Sequence, residues 1–230
     1  MPFTVWIAQV LDRHWPRGSA VSAVHVGGGG CTVPRYLAAT RPGSDQTVFE
    51  LDGQLVDLIR EHLDLDGIQD LRVHVRDGRS GITAMPEAST DLVVLDVFQG
   101  GDPVTELSTV EFLQQIARVL RPGGLYATNL WGAADLAFVL RATAAITEVF
   151  PHVLAFAEAA VFMKHRPGNV VIAASTSDLP AADLNAWAAD NHVSCLTPPQ
   201  LAAVCGSASP LTNAKPLLEP VPPVLRWGRR

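Results

Sequence analysis

The chain has 230 residues, 48% of them hydrophobic, with 17 basic and 23 acidic residues and a formal net charge of -6. That length and apolar content suit one α/β core, and the acidic balance leaves no footprint for nucleic acid or an anionic membrane surface, so a small-molecule partner is expected. Cys31, Cys195 and Cys205 show neither metal-ligand spacing nor disulfide-scaffold density, no signal-peptide pattern opens the chain, and the apolar stretch 133–150 is broken by Asp135, Arg141 and Glu148. A soluble cytoplasmic protein with reduced thiols, no metal site and no membrane span is expected.

Residues Phe3 to His14 place Phe3, Ile7, Val10 and Leu11 at helical spacing, and Trp15-Pro16-Arg17-Gly18 ends the run, giving a lead-in helix within residues 1–18. Trp6 and Trp15 read as packing residues. The run from Val21 to Val26 then ends in Gly27-Gly28-Gly29-Gly30 and restarts as a helix, with Thr32 as its expected cap and Pro34 in its first turn. A strand, a glycine turn and a helix start let a ligand approach the backbone and offer free N–H groups to an electron-rich group. The next strand, Gln46 to Glu50, ends twenty residues past Gly30 in an acid placed to grip a pair of ribose hydroxyls. A dinucleotide fingerprint needs a further glycine where Thr32 and Val33 stand, which weakens a dinucleotide reading. His25, inside the first strand, reads as a core residue.

Gln54 to Leu63 forms an amphipathic helix with Leu55, Leu58, Ile59 and Leu63 on its apolar face and His62 on the solvated side. Leu71 to Val75 alternates as a strand and ends at Arg76-Asp77-Gly78-Arg79, where Asp77 either accepts an adenine amino group or caps a helix. Asp91 to Asp96 is a buried fourth strand with an acid at its carboxyl end, where ligands of open parallel sheets sit. Gly100-Gly101-Asp102-Pro103 reads as a flexible turn, and Ser108 to Glu111 as a capping box opening a helix to Leu120. Arg121 to Gly124 turns the chain into a fifth strand, Leu125 to Leu130. Asn129 and Trp131 at its end either line an acceptor pocket or pack. A helix over 136–149 follows, then strands Val153 to Phe162 and Asn169 to Ala174 as an antiparallel hairpin.

The fold class is therefore α/β: a doubly wound, mostly parallel sheet with one antiparallel edge strand. Residues 19–176 hold this domain. Residues 177–230 form an extension with helices at 181–190 and 198–204. Pro210, Pro216, Pro220, Pro222 and Pro223 make its end a surface-laid or mobile tail, with Arg229 and Arg230 too few for a basic arm. Tyr36 and Tyr126 read as packing or hydrogen-bonding groups. No Gly-x-Ser-x-Gly elbow occurs, which removes a hydrolase triad.

Taken together, Gly27 to Gly30, Phe49-Glu50, Arg76-Asp77-Gly78, Val94-Leu95-Asp96, Glu111-Phe112 and Leu120 to Gly124 resemble the class I S-adenosylmethionine-dependent transferases. More narrowly, they resemble the spermidine-synthase-like branch and its actinobacterial members with a Gly-Gly-Gly-x-x-Thr-x-Pro-Arg-Tyr turn. The resemblance covers roughly residues 5 to 175. It implies that Glu50 binds the ribose hydroxyls, that Asp77 with Gly78 holds the adenine amine, and that Gly27, Gly28, Gly29 and Gly30 receive the methionine portion. It also implies that Asp96 takes a proton from the attacking nucleophile. The implied cofactor is S-adenosyl-L-methionine, with its decarboxylated form as the alternative. A small-molecule acceptor is implied, and a homodimer stands open as a further partner.

Three departures bear on the chemistry. Gly30 stands where the family has an aspartate that holds the amine of the decarboxylated donor. Gln99 stands where the family has a second active-site aspartate. The family's N-terminal β-domain has no counterpart in the roughly twenty residues before the first strand. Methyl transfer to a small nucleophile is therefore the leading expectation, with Gln99, Asn129 and Trp131 as its acceptor pocket. Arg35, if turned inward, could receive a donor carboxylate. Aminopropyl transfer and a non-catalytic nucleotide-binding scaffold are the alternatives.

Overall fold

In the computed structural model, which describes residues 2–99 and 102–214, the apolar runs become an eight-stranded sheet with helices on both faces. Helix α1 (Pro2–His14) leads into β1 (Ser22–Val26), α2 (Thr32–Thr40), β2 (Asp45–Glu50), α3 (Gly53–His62), β3 (Leu71–Val75), α4 (Gly78–Thr83) and β4 (Thr90–Leu95). The two-residue strands β5 (Phe98–Gln99) and β6 (Asp102–Pro103) pair with each other. A 3-10 turn, Thr105–Ser108, precedes α5 (Val110–Val119), β7 (Leu120–Gly132) and α6 (Ala137–Val149). The chain continues through β8 (His152–Ala157), α7 (Ala159–Phe162), β9 (Gly168–Ser175), α8 (Ala181–Asp190), β10 (Ser194–Leu196) and α9 (Pro198–Cys205). The Gly100-Gly101 turn, Pro216, Pro220, Pro222, Pro223, Arg229 and Arg230 lie outside the described residues.

Across the sheet the order is β10-β8-β9-β7-β4-β1-β2-β3. Strands β1 to β4 and β7 are parallel. The chain winds outward from β1 through β2 and β3, then crosses back to β4 on the other side of β1. That reversal sets a crevice at the carboxyl ends of β1 and β4, where open α/β sheets bind ligands. Alternate residues of the central strands are buried on opposite faces: Val24, Val26, Val93 and Leu95 pack with α5 and α6, while Ala23, Leu92 and Val94 pack with α1 and α2. This two-sided burial explains why these strands read as continuous apolar runs.

The mostly parallel sheet with an antiparallel edge is as expected, and the structure adds detail. The edge strand is β10, which pairs antiparallel with β8. A second reversed strand, β9, lies inside the sheet between β7 and β8. The expected strand to Phe162 stops at Ala157, and Ala159–Phe162 coils into α7. A Cβ on Gly168 would stand 2.6 Å from Val161 Cγ2, so α7 rests directly on the first residue of β9.

Several local expectations are corrected. The residue before α2 is Cys31, in the left-handed conformation and without a side-chain cap, so Thr32 lies inside the helix. Thr109, not Ser108, caps α5, because the 3-10 turn consumes Ser108. The buried face of α3 is Val56 and Ile59; Leu58 and Leu63 are exposed, because β3 and the chain after α3 cover only one narrow side. Arg121 to Gly124 belongs to β7 as an irregularity, the pairing slipping from Thr90–Leu120 to Leu92–Leu125.

Helix α1 is tied to α2 by a buried guanidinium. Arg41 donates to the Leu11 and Trp15 carbonyls at 2.9 and 2.8 Å and to Asp12 Oδ1 at 3.1 Å, with Asp12 also accepting from the Tyr36 hydroxyl. Among the described residues no helix is long and apolar enough to cross a membrane, and no group of three His, Cys, Asp or Glu residues could hold a metal ion.

Candidate functional site

A cavity of about 1580 Å³ opens at the β1–β4 reversal, larger than the roughly 300–1,000 Å³ of a pocket for one small ligand. The β1–α2 turn forms one wall. Gly27 has φ +89°, and a Cβ there would stand 2.3 Å from the Asp96 carbonyl oxygen, so only glycine lets the turn lie against the end of β4. A Cβ on Gly78 would stand 2.3 Å from Val26 Cγ1, which brings the start of α4 equally close to β1. Gly27, Gly28, Gly29, Gly30, Glu50, Asp77, Gly78, Asp96 and Asn129 all line this one cavity.

Glu50 is held open to the cavity by backbone donors. Its Oε2 accepts from Gly28 N–H at 2.7 Å and its Oε1 from Asp52 N–H at 3.0 Å. These bonds connect the glycine turn to the tip of β2. Asp52 in turn caps α3, accepting from Gln54 and Leu55 N–H. Asp77 fills the capping role considered for it: Oδ1 accepts from Ser80 N–H at 2.8 Å, while the residue also lines the cavity.

Asp96 follows β4 directly. Its Oδ1 accepts from Asn129 Nδ2 at 2.9 Å, and Asn129 Oδ1 accepts from Asn169 Nδ2 at 3.0 Å. Burial pushes the Asp96 carboxyl up from the ordinary carboxylate range, and the Asn129 hydrogen bond opposes that shift without cancelling it. His25 is buried on β1. Gln46 Nε2 donates to the Pro34 carbonyl, which leaves Oε1, 3.0 Å away, to accept from His25 Nε2. Burial lowers this imidazole to about 4, so it is neutral near pH 7.

Not every expected residue joins the site. Trp131 is not among the lining residues: two positions beyond Asn129, it lies roughly 7 Å further along β7. Gln99 lies in β5, its side chain outside the described part. Arg35 turns outward, donating to the Leu63 and Asp64 carbonyls at the end of α3, because those unsatisfied groups attract it. Phe3, Thr4 and Asn169 line the cavity without having been expected. No local signal marked Asn169, which stands opposite Trp131 at the end of β7 only because β9 pairs antiparallel with β7. Among the described lining residues are six carboxylates, Glu50, Asp52, Asp57, Asp77, Asp96 and Glu106, and one guanidinium, Arg79. Arg79 is itself held by the Glu106 carbonyl at 2.6 Å and Asn213 Oδ1 at 3.2 Å.

Residues 24–128 match a family described as a methyltransferase domain. Over 128 residues the chain is 31% identical to a spermidine synthase of Coffea arabica, covering 53% of this chain and 40% of that protein. Over 153 residues it is 33% identical to an N-terminal histidine N-methyltransferase of Emericella nidulans, covering 63% of this chain and 26% of that one. The chain thus spans less than half the length of these curated relatives. Among solved structures it is similar to a probable spermidine synthase from Corynebacterium glutamicum, with 27% identity and a TM-score of 0.85 over 95% of this chain and 82% of that chain.

Proposed function

We infer that this chain, which belongs to the spermidine-synthase-like branch of the class I S-adenosylmethionine-dependent methyltransferases, moves a methyl group from S-adenosylmethionine to a small nucleophile, with Asp96 as proton acceptor. The observation that carries the reading is the half-buried Asp96, its carboxylate aimed by Asn129 and its backbone carbonyl set against the glycine turn, in a cavity with room for two ligands. The donor supplies an alkyl group on a sulfonium with a neutral thioether as leaving group. Glu50, already oriented by Gly28 and Asp52, accepts from the ribose diol. Asp77 and the start of α4 receive the adenine edge. Asp96 holds the nucleophile in line and takes its proton as the new bond forms. Its raised proton affinity helps, because a stronger base takes that proton more readily.

Methyl transfer is favoured at the other end of the donor. A Cβ on Gly30 would meet only Thr32 Oγ1 at 4.0 Å, so that position is open and carries no acid to repel a donor carboxylate. The first N–H groups of α2 point positive charge toward such a carboxylate. With Arg35 turned away, that attraction is left to the backbone. One observation favours aminopropyl transfer instead: six carboxylates against one guanidinium suit a donor without a carboxylate and a polycationic acceptor.

Two measurements test the reading. Competition binding should show S-adenosylmethionine bound more tightly than its decarboxylated form by at least ~1 kcal/mol, the size of a charge contact at a helix terminus. The reverse preference establishes the aminopropyl reading. Asp96→Asn should keep donor affinity and thermal stability while losing turnover against an amine panel, since an amide is a poor base. Normal turnover by this variant would remove Asp96 from the chemistry.

A further inference from the structure

Strand β9 runs against β7, so its first residues reach the end of the sheet to which parallel strands bring their last. Asn169 stands there opposite Trp131, and because strand side chains alternate, it shares a face with Trp131 and Asn129. Diagonal partners on adjacent strands are within reach of amide side chains. Here they touch: Asn169 Nδ2 donates to Asn129 Oδ1 at 3.0 Å, and Asn129 Nδ2 donates to Asp96 Oδ1 at 2.9 Å. The direction of this chain matters. An asparagine has one carbonyl and one NH2, and a half-turn of Asn129 would set its carbonyl against an ionised Asp96, acceptor against acceptor. Asn129 is buried, so the partner on its far side decides which way it faces.

We infer that Asn169 is a positioning residue: by donating to Asn129 Oδ1 it fixes the amide whose Nδ2 orients the Asp96 carboxylate. The inference rests on the reading of Asp96 as proton acceptor. Around Asp96 the described cavity also brings His25 from β1, Glu50 from the end of β2, Asp52 and Asp57 from the cap and body of α3, Asp77 and Arg79 from the cap and first turn of α4, and Glu106 from the 3-10 turn. From β7 and β9 it receives the two amides and no charge.

Asn169→Asp reverses the chain, because an ionised carboxylate only accepts and draws Asn129 Nδ2 toward itself, turning Oδ1 onto Asp96. Asp96 should then titrate at higher pH than in wild type, followed by carboxyl carbon NMR with Asp96→Asn as the assignment control. The acid limb of turnover should move the same way. At neutral pH turnover should fall roughly tenfold or more, the loss expected when a charged group forfeits one hydrogen bond. Donor affinity should not change. A new charge also acts through space, so the titration is repeated in an Asn129→Leu background, where the effect of Asn169→Asp should vanish. An unchanged Asp96 titration in Asn169→Asp, or a shift that survives undiminished with Asn129→Leu, overturns the inference. Should Asn169→Asp lower the unfolding temperature, the uncharged Asn169→Ser, too short to reach Asn129, carries the test with a smaller shift in the same direction. The NMR titration needs no acceptor, so loss of the transferase reading and loss of this inference give separate results.

Discussion

Glu50 offers the sharpest test of the proposed nucleoside site, because its carboxylate braces the glycine turn and lines the cavity. Oε2 accepts from Gly28 N–H at 2.7 Å and Oε1 from Asp52 N–H at 3.0 Å, which fixes both oxygens at the cavity wall before any ligand arrives. A ribose diol would add a donor to each oxygen. Hydrogen bonds to charged groups are worth about 1.5–3 kcal/mol, so losing both in Glu50→Ala sets an upper range of about 3–6 kcal/mol. Water entering the vacated space and relaxation of the turn reduce that figure, and a weakening of roughly 10²-fold or more in donor affinity is expected. Glu50→Gln keeps the shape and one acceptor, so its loss should lie between wild type and Glu50→Ala, on the order of tenfold. Calorimetric titration with S-adenosylmethionine and with its thioether product measures all three. Equal affinities for wild type and Glu50→Ala would refute the assignment, as would absence of binding to the wild type.

Two further outcomes concern the scaffold. His25 titrates at about 4 when buried against an ordinary 6.5, so between those values the unfolded chain binds a proton that the folded chain does not. Stability should therefore fall as pH drops through that window, by up to about 3 kcal/mol from this group. His25→Gln should shallow that slope in urea unfolding at pH 7 and pH 5, and an unchanged slope would show that other groups set it. Arg41→Met should destabilise the fold by about 3–5 kcal/mol, since it strands the Leu11 and Trp15 carbonyls and leaves Asp12 with a weaker partner set. Donor affinity measured well below the unfolding transition should stay within twofold of wild type, because Arg41 is not among the residues lining the cavity; a larger loss would couple the α1–α2 clamp to the site.

What was legible in the sequence follows from how local each signal is. Glycines that must approach a neighbouring strand, and acids that end buried apolar runs, announce themselves within a few residues, and Gly27, Glu50 and Asp96 do meet in one cavity. Side-chain direction is less local. Arg35 is drawn to open carbonyls some 28 residues away in the chain, and no spacing rule within α2 points there. Asn169 shows the same limit from the other side. It is a polar residue at the start of an apolar strand, and by itself it reads as a boundary. Its meaning appears only once β9 is inserted in reverse beside β7, because a parallel strand in that place would bring its last residues to the site and carry its first to the opposite end of the sheet. Reversal brings the opening residues of a strand beside the cavity, and the amide chain from Asn169 to Asp96 is the local consequence of that topology.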